Sequence, residues 1–404
     1  MQKMELLAPA GDLEKLKIAV DYGADAVYFG GENFSLRAGA DNFTFDEMKE
    51  GIRYAHERCV KCYMTLNIFP HNEDVLPIQK YLLKIRNTGI DAFIISDPGM
   101  LDIVKEVMAD AEIHLSTQAN MTNFRTALFW ARMGIKRIVL ARELTFEEIK
   151  TIRENLPEDT ELESFVHGAM CISYSGRCLL SNFMTERDSN RGMCAHPCRW
   201  KYALVEEKRP GEYYPIEEDD RGTYIMNSAD LCMINHISDL AEAGIMSAKI
   251  EGRMKSVFYV ATVVSAYRRA IDDYYAGREF NDDLLSELKK VSHRKFSTGF
   301  YYHYPTNEDQ NYLTGAYERD YTFVGIVKAY DEEKGLAKIE QRNKMTVGEK
   351  IEIFGPDMPY FEQRIEEMLN EEGEVIDAAP HPKQIVYIKT DKKVKPNYIL
   401  RRKN

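Results

Sequence analysis

The 404-residue sequence has no run of the roughly 18 to 20 consecutive apolar residues that a bilayer-crossing helix needs. Its opening, Met1-Gln2-Lys3-Met4, leads straight into a strand pattern and not into the basic and apolar stretches of a signal peptide. A cytoplasmic protein with no membrane partner is therefore expected. Positive charge is also in short supply: 53 Lys and Arg face 65 Asp and Glu, a formal net charge of -12. That balance excludes unselective attraction to phosphate backbones and argues against a DNA partner, and an RNA partner would need a local basic surface. Seven cysteines are too few, and too unevenly spaced, for a disulfide scaffold. The sequence has no G-x-G-x-x-G after its first strand, no H-E-x-x-H and no G-x-S-x-G. Dinucleotide binding and the commoner hydrolytic chemistries thereby lose their usual carriers.

Alternation of short branched apolar runs with longer helical periods is present throughout the first three quarters of the chain, and it predicts parallel strands joined by crossover helices. Eight strands are expected: 5–10, 26–29, 62–68, 92–96, 112–116, 137–140, 162–167 and, after a long excursion, 247–251. Asp12 is placed to cap a helix that ends at Gly23. Eight such units predict a (β/α)8 TIM-like barrel. Further helices are expected from near Ser256 and around Leu284 to Val291. From Tyr321 the pattern shifts to short strands separated by turns, which predicts a small C-terminal antiparallel β-barrel. The expected division is a barrel over residues 1–318, with a cysteine-rich insertion at about 168–235, followed by the small domain over 319–404.

In a barrel of this kind the reactive groups lie at the carboxyl ends of the strands. The residues there are polar: Asn67, Gln118, Asn120, Arg142, Glu143, His167, Glu251 and Arg253. His167, Glu251, Arg142 and Arg253 are the catalytic candidates, the first two and Glu143 as positional candidates for a proton acceptor. Cys171, Cys178, Cys194 and Cys198 follow the seventh strand in one stretch. Four thiolates can converge on zinc or on an iron-sulfur cluster, and their spacers of six and three residues are unlike tight zinc knuckles. Cys232 is a reserve ligand. Cys59-Val60-Lys61-Cys62 is a C-x-x-C, but it falls at the other end of the barrel. The run Lys389, Lys392, Lys393, Lys395, Arg401, Arg402 and Lys403 is either a solvated tail or a basic surface for RNA.

These residues also carry a resemblance. Glu163, Phe165, Gly168, Ala169, Met170, Cys171, Gly176, Cys178, Leu180 and Ser181 follow the signature of peptidase family U32, the collagenase-like proteins. Leu7-Ala8-Pro9-Ala10-Gly11-Asp12, the stretch from Cys194 through Cys198 and Arg199 to Tyr202, Asn227-Ser228 and Lys249-Ile250-Glu251-Gly252-Arg253 extend the likeness along the whole chain. The sequence is most similar to the branch that hydroxylates the wobble uridine of tRNA to 5-hydroxyuridine. That resemblance implies a 4Fe-4S cluster on Cys171, Cys178 and Cys194, with Cys198 as fourth ligand, and prephenate as co-substrate in place of molecular oxygen. Prephenate carries two carboxylates, which Arg142 and Arg253 could clamp, and an unstacked uridine could lie against Trp200 or Arg199. The family name implies the competing activity, proteolysis.

Overall fold

The computed structural model describes all residues except 1–2, 33, 35–41, 172, 175–176, 188, 190–192, 201–203, 206–212, 215–228 and 305–317. Of the positions singled out above, Gly176, Tyr202, Asn227 and Ser228 lie outside the described residues, as does the side chain of Arg199.

Eight parallel strands close into a barrel: β1 (Glu5–Pro9), β2 (Ala26–Phe29), β3 (Lys61–Leu66), β4 (Ala92–Ile95), β5 (Glu112–Leu115), β6 (Arg137–Val139), β7 (Glu161–Ala169) and β8 (Ile245–Ile250). Each pairs with the next, and β8 pairs with both β7 and β1, which leaves no open edge. This is the (β/α)8 barrel that the periodicity predicts. Local chemistry sets the helix starts. Asp12 accepts from the Lys15 amide, and Thr44 with Glu47, like Thr145 with Glu148, forms a reciprocal capping box. Between β7 and β8, the short strand Asp230–Cys232 runs antiparallel to the end of β7 and pairs Cys232 with His167.

Barrel interiors are ordinarily filled with branched aliphatic side chains. Here charge replaces much of that filling. Near the amino ends of the strands Arg137 sits 2.5 Å from Glu5, 2.6 Å from Glu161 and 3.4 Å from Glu163, while Ser247 and Tyr63 donate to Glu5. One layer higher, the Lys249 ammonium lies 2.7 Å from Glu163. Burial alone would raise the Glu163 carboxyl, but Lys249 and Arg137 outweigh it and hold this residue below the ordinary range. The barrel floor is thus a set of mutually neutralising charges, each of which depends on its neighbours.

The C-terminal strands form a seven-stranded antiparallel sheet between Tyr321 and Lys403 with its own core of Val324, Ile339, Ile353, Val386 and Leu400. The sheet is rolled: Gln363 on one edge strand donates to Lys389 and accepts from the Asp391 amide near the other end. It packs on the barrel through Phe354 and Ile399, which join the barrel's hydrophobic core. The basic run does not form a continuous free surface. Arg401 is fully buried between Glu287 and Glu352, Arg402 pairs with Glu349, Lys393 with Glu332 and Lys395 with Asp357. Strand alternation turns Arg401 inward, which a count of basic residues does not register.

Candidate functional site

At the carboxyl ends of the strands lies a cavity lined in part by Tyr28, Thr65, Asn67 and Phe165. The strand ends and the excursion after β7 build its wall together. Cys171, Cys178, Cys194 and Cys198 all line it, and so do Arg142, Glu251 and Arg253. None of the four cysteines is in a disulfide, and all are at least partly accessible. Hydrogen bonds tie their loop together: Ser189 donates to the Cys178 carbonyl, the Ala195 amide donates to Ser181, and the His196 amide points at the Cys194 sulfur.

The spacing of these sulfurs bears on what they can hold. Among the described residues, no three of the four lie within 4.8 Å of one another, the reach within which groups could share one ion. A four-iron cube holds its ligand sulfurs farther apart than a lone ion does. Four accessible thiols around one cavity are soft sulfur donors of the kind that an iron-sulfur cluster or zinc takes. Cys232 is elsewhere. It is buried in the barrel core, where desolvation pushes its thiol up to about 11, and it does not line the cavity.

Arg142 and Arg253 are both held in place. The Arg142 guanidinium donates to the Ala169 carbonyl at 2.8 Å, sits 3.3 Å from Glu251 and lies 3.9 Å from the centre of the Phe165 ring. Arg253 is buried, with Thr65 at 3.3 Å and Asn42 at 2.9 Å. Asn67 and Gln118 also line the cavity and hydrogen-bond to each other at 3.1 Å. Asn120 and Glu143 do not line it, and burial raises the Glu143 carboxyl above its ordinary range. Trp200 is half-exposed outside it.

His167 is the main departure from expectation. Two residues beyond inward-facing Phe165, it should point into the barrel as well. A β-bulge intervenes, because Phe165 pairs with Lys249 and His167 with the next residue, Ile250. The extra residue, Val166, turns His167 outward among the rings of Tyr259, Tyr267 and Phe296. Burial then drives its imidazole down to about 3, so the ring is neutral and does not line the cavity. Conversely, Lys249, the first residue of the Lys249-Ile250-Glu251-Gly252-Arg253 motif, is a cavity residue. Its ammonium lies 4.5 Å from the centre of the Tyr28 ring. The available signal was strand period: Lys249 precedes Glu251 by two positions. Among the described residues, the cavity thus presents three cations, Arg142, Lys249 and Arg253, and one carboxylate, Glu251.

Residues 11–311 match the peptidase family U32 and residues 319–401 its C-terminal domain. The chain belongs to peptidase family U32. Among relatives, a protein named tRNA hydroxylation protein P1 in Bacillus subtilis is 45% identical over 404 residues, covering 99% of this chain and 95% of that protein. The 23S rRNA 5-hydroxycytidine C2501 synthase of Escherichia coli is 35% identical over 270 residues, 67% of this chain and 39% of that protein. A protein named collagenase in Porphyromonas gingivalis is 33% identical over 409 residues, 97% of this chain and 96% of that protein. This U32 chain is therefore similar to proteins with two kinds of name, RNA hydroxylation and proteolysis. Among the described residues no helix is long and apolar enough to cross a membrane.

Proposed function

We propose that this chain is a cytoplasmic tRNA hydroxylase that forms 5-hydroxyuridine at the wobble position, uses prephenate as co-substrate, and carries a 4Fe-4S cluster on Cys171, Cys178, Cys194 and Cys198. The observation that carries the reading is the sharing of one cavity by four cysteines and three cations. A protein with a formal charge of -12 that gathers Arg142, Lys249 and Arg253 around a single pocket is built to accept a small anion there. Prephenate, with two carboxylates, suits that pocket. One full-length relative is named for tRNA hydroxylation and another relative for making 5-hydroxycytidine in rRNA, and both names support RNA hydroxylation as the reaction class.

Each side chain then has a part. Arg142 and Arg253 present planar guanidinium groups that can each grip a carboxylate through two parallel hydrogen bonds. Lys249, paired with Glu163 2.7 Å away, closes the cavity floor. Hydroxylation at C5 is a two-electron oxidation for which the prephenate co-substrate must supply both the oxygen atom and the oxidising equivalents, and Glu251, a carboxylate among the described lining residues, is placed to take the proton as the C5–H bond breaks. Arg142, 3.3 Å away, orients the Glu251 carboxylate. The cluster, when bound, supplies one-electron chemistry at the rim.

Mass spectrometry of nucleosides from tRNA and rRNA, with and without this gene, tests the reading. Loss of 5-hydroxyuridine from tRNA is expected, and protein purified without air should be brown. Unchanged tRNA with a missing rRNA nucleoside would move the substrate to rRNA. Gelatin cleavage by protein lacking all four loop cysteines would instead support the peptidase reading attached to the P. gingivalis relative.

A further inference from the structure

At the opposite end of the barrel three potential metal ligands come together from separate elements. The helix Phe45–His56 ends on His56, β3 begins at Lys61 and carries Cys62 as its second residue, and Asp91 immediately precedes β4. One ligand atom from each of His56, Cys62 and Asp91 lies within 4.8 Å of the other two. His56 Nε2 is 2.9 Å from Asp91 Oδ2, so the half-exposed ring turns that nitrogen toward the group. Among the described residues this is the group of His, Cys and acidic side chains that meets single-ion spacing.

We propose that His56, Cys62 and Asp91 bind a single divalent cation of the zinc class, a second metal site remote from the cavity. Zinc holds nitrogen at about 2.0–2.1 Å, sulfur at about 2.3 Å and carboxylate oxygen at about 2.0–2.2 Å, and this mixed donor set matches its borderline softness. The supporting contacts are in place. The Cys62 amide donates to Asp91 Oδ2 at 2.7 Å and the Asp91 amide donates to the Cys62 carbonyl at 3.0 Å, fixing the carboxylate against the strand that carries the sulfur. The connecting turn, His56-x-x-Cys59-x-x-Cys62, holds Cys59 at a φ of 59°, in the left-handed region that costs a non-glycine residue energy. Its amide donates to the His56 carbonyl at 3.0 Å, so the turn is locked in the shape that brings His56 and Cys62 together. A water molecule completes four-coordination. Binding releases the Cys62 proton, and the ion pins the end of one helix to the starts of two strands.

The competing account is an ordinary His56–Asp91 pair beside a buried cysteine that acts as a small hydrophobe. Metal analysis of the whole protein separates the two and does not depend on the hydroxylase reading. A variant with Cys171, Cys178, Cys194 and Cys198 all changed to serine removes the other sulfur site. In that background about one zinc per chain is expected. His56→Ala, which alters a half-exposed side chain, and Asp91→Asn should each abolish binding while circular dichroism stays unchanged. Cobalt(II) added in place of zinc should give a sulfur-to-cobalt charge-transfer band that Cys62→Ser removes. A folded protein that takes up no zinc or cobalt, or whose uptake His56→Ala leaves unaltered, overturns the proposal.

Discussion

Arg142 works in two directions, and a single substitution can separate them. Its charge faces Glu251, while its flat face packs 3.9 Å from the centre of the Phe165 ring. Arg142→Lys keeps the charge but loses the fork and the stacking. A charge-assisted hydrogen bond contributes about 1.5–3 kcal/mol, so, on the proposed role of Arg142 in gripping prephenate, kcat/KM for that co-substrate should fall by about 10- to 100-fold. Steady-state hydroxylation at limiting prephenate measures this, and wild-type kinetics would remove Arg142 from the binding site. His167 makes the opposite kind of prediction. Its folded-state pKa, depressed by burial to about 3 from an ordinary 6.5, means that the unfolded chain binds the proton more readily. The neutral ring's contribution to stability is complete above about 6.5 and is lost as pH falls from there toward 3, by at most about 1.4 kcal/mol per pH unit. His167→Phe should flatten the acid side of a denaturation-versus-pH curve and leave the shape of the pH-rate profile unchanged. A shifted rate profile would return His167 to the chemistry. The sequence suggested a catalytic role because it marks His167 as polar at a strand end, whereas the bulge that turns it away depends on pairing with β8, some eighty residues on.

Strand and helix periodicity was the most readable part of this chain, and all eight barrel strands fall where alternation of apolar runs places them. What periodicity leaves out is the contact between elements. Gly168, at the bend where β7 gives way to the cysteine loop, has a φ of +112°, and a Cβ there would come 2.7 Å from the Glu251 carbonyl and 2.9 Å from its Cβ. Gly168→Ala should therefore push β7 from the Glu251 backbone. Activity should drop while the four cysteines remain intact, a pattern that iron content and hydroxylation measured together would resolve. The Glu163–Lys249 pair, which joins β7 to β8 inside the barrel, behaves differently. Removing Glu163 strands the buried Lys249 charge, at a cost of about 3–5 kcal/mol, whereas removing Lys249 leaves Glu163 to Arg137 alone, 3.4 Å away. The double change Glu163→Gln with Lys249→Met should be less damaging than the two single costs added. Chemical denaturation of the four proteins tests this, and strict additivity would show that the pair does not act as a unit.

The same logic governs how the C-terminal sheet joins the barrel. Seven basic residues near the end of the chain suggested a surface for RNA, yet four of them are committed to ion pairs with acids. Arg401 is the decisive one. It is fully buried, 2.7 Å from Glu287 on the barrel side and 2.7 Å from Glu352 in the sheet, and 4.6 Å from the centre of the Phe354 ring. Burial would raise the Glu352 carboxyl, but Arg401 and Lys290 hold it below its ordinary value of 4.5. That stabilisation is present above about 4.5 and is lost as pH falls below it. Arg401→Met removes the bridging cation and leaves Lys290, 2.8 Å from Glu287 and 3.0 Å from Glu352, to serve two carboxylates alone. The expected cost is about 3 kcal/mol. It should appear as earlier release of the C-terminal sheet in limited proteolysis, and Arg401→Met combined with Glu352→Gln should recover part of it. If the single variant resists proteolysis as the parent does, the docking free energy resides in the apolar contact, where Phe258 stacks on Phe323 at 5.9 Å and meets Phe354 at 6.4 Å, and Phe258→Ala becomes the change that should free the sheet.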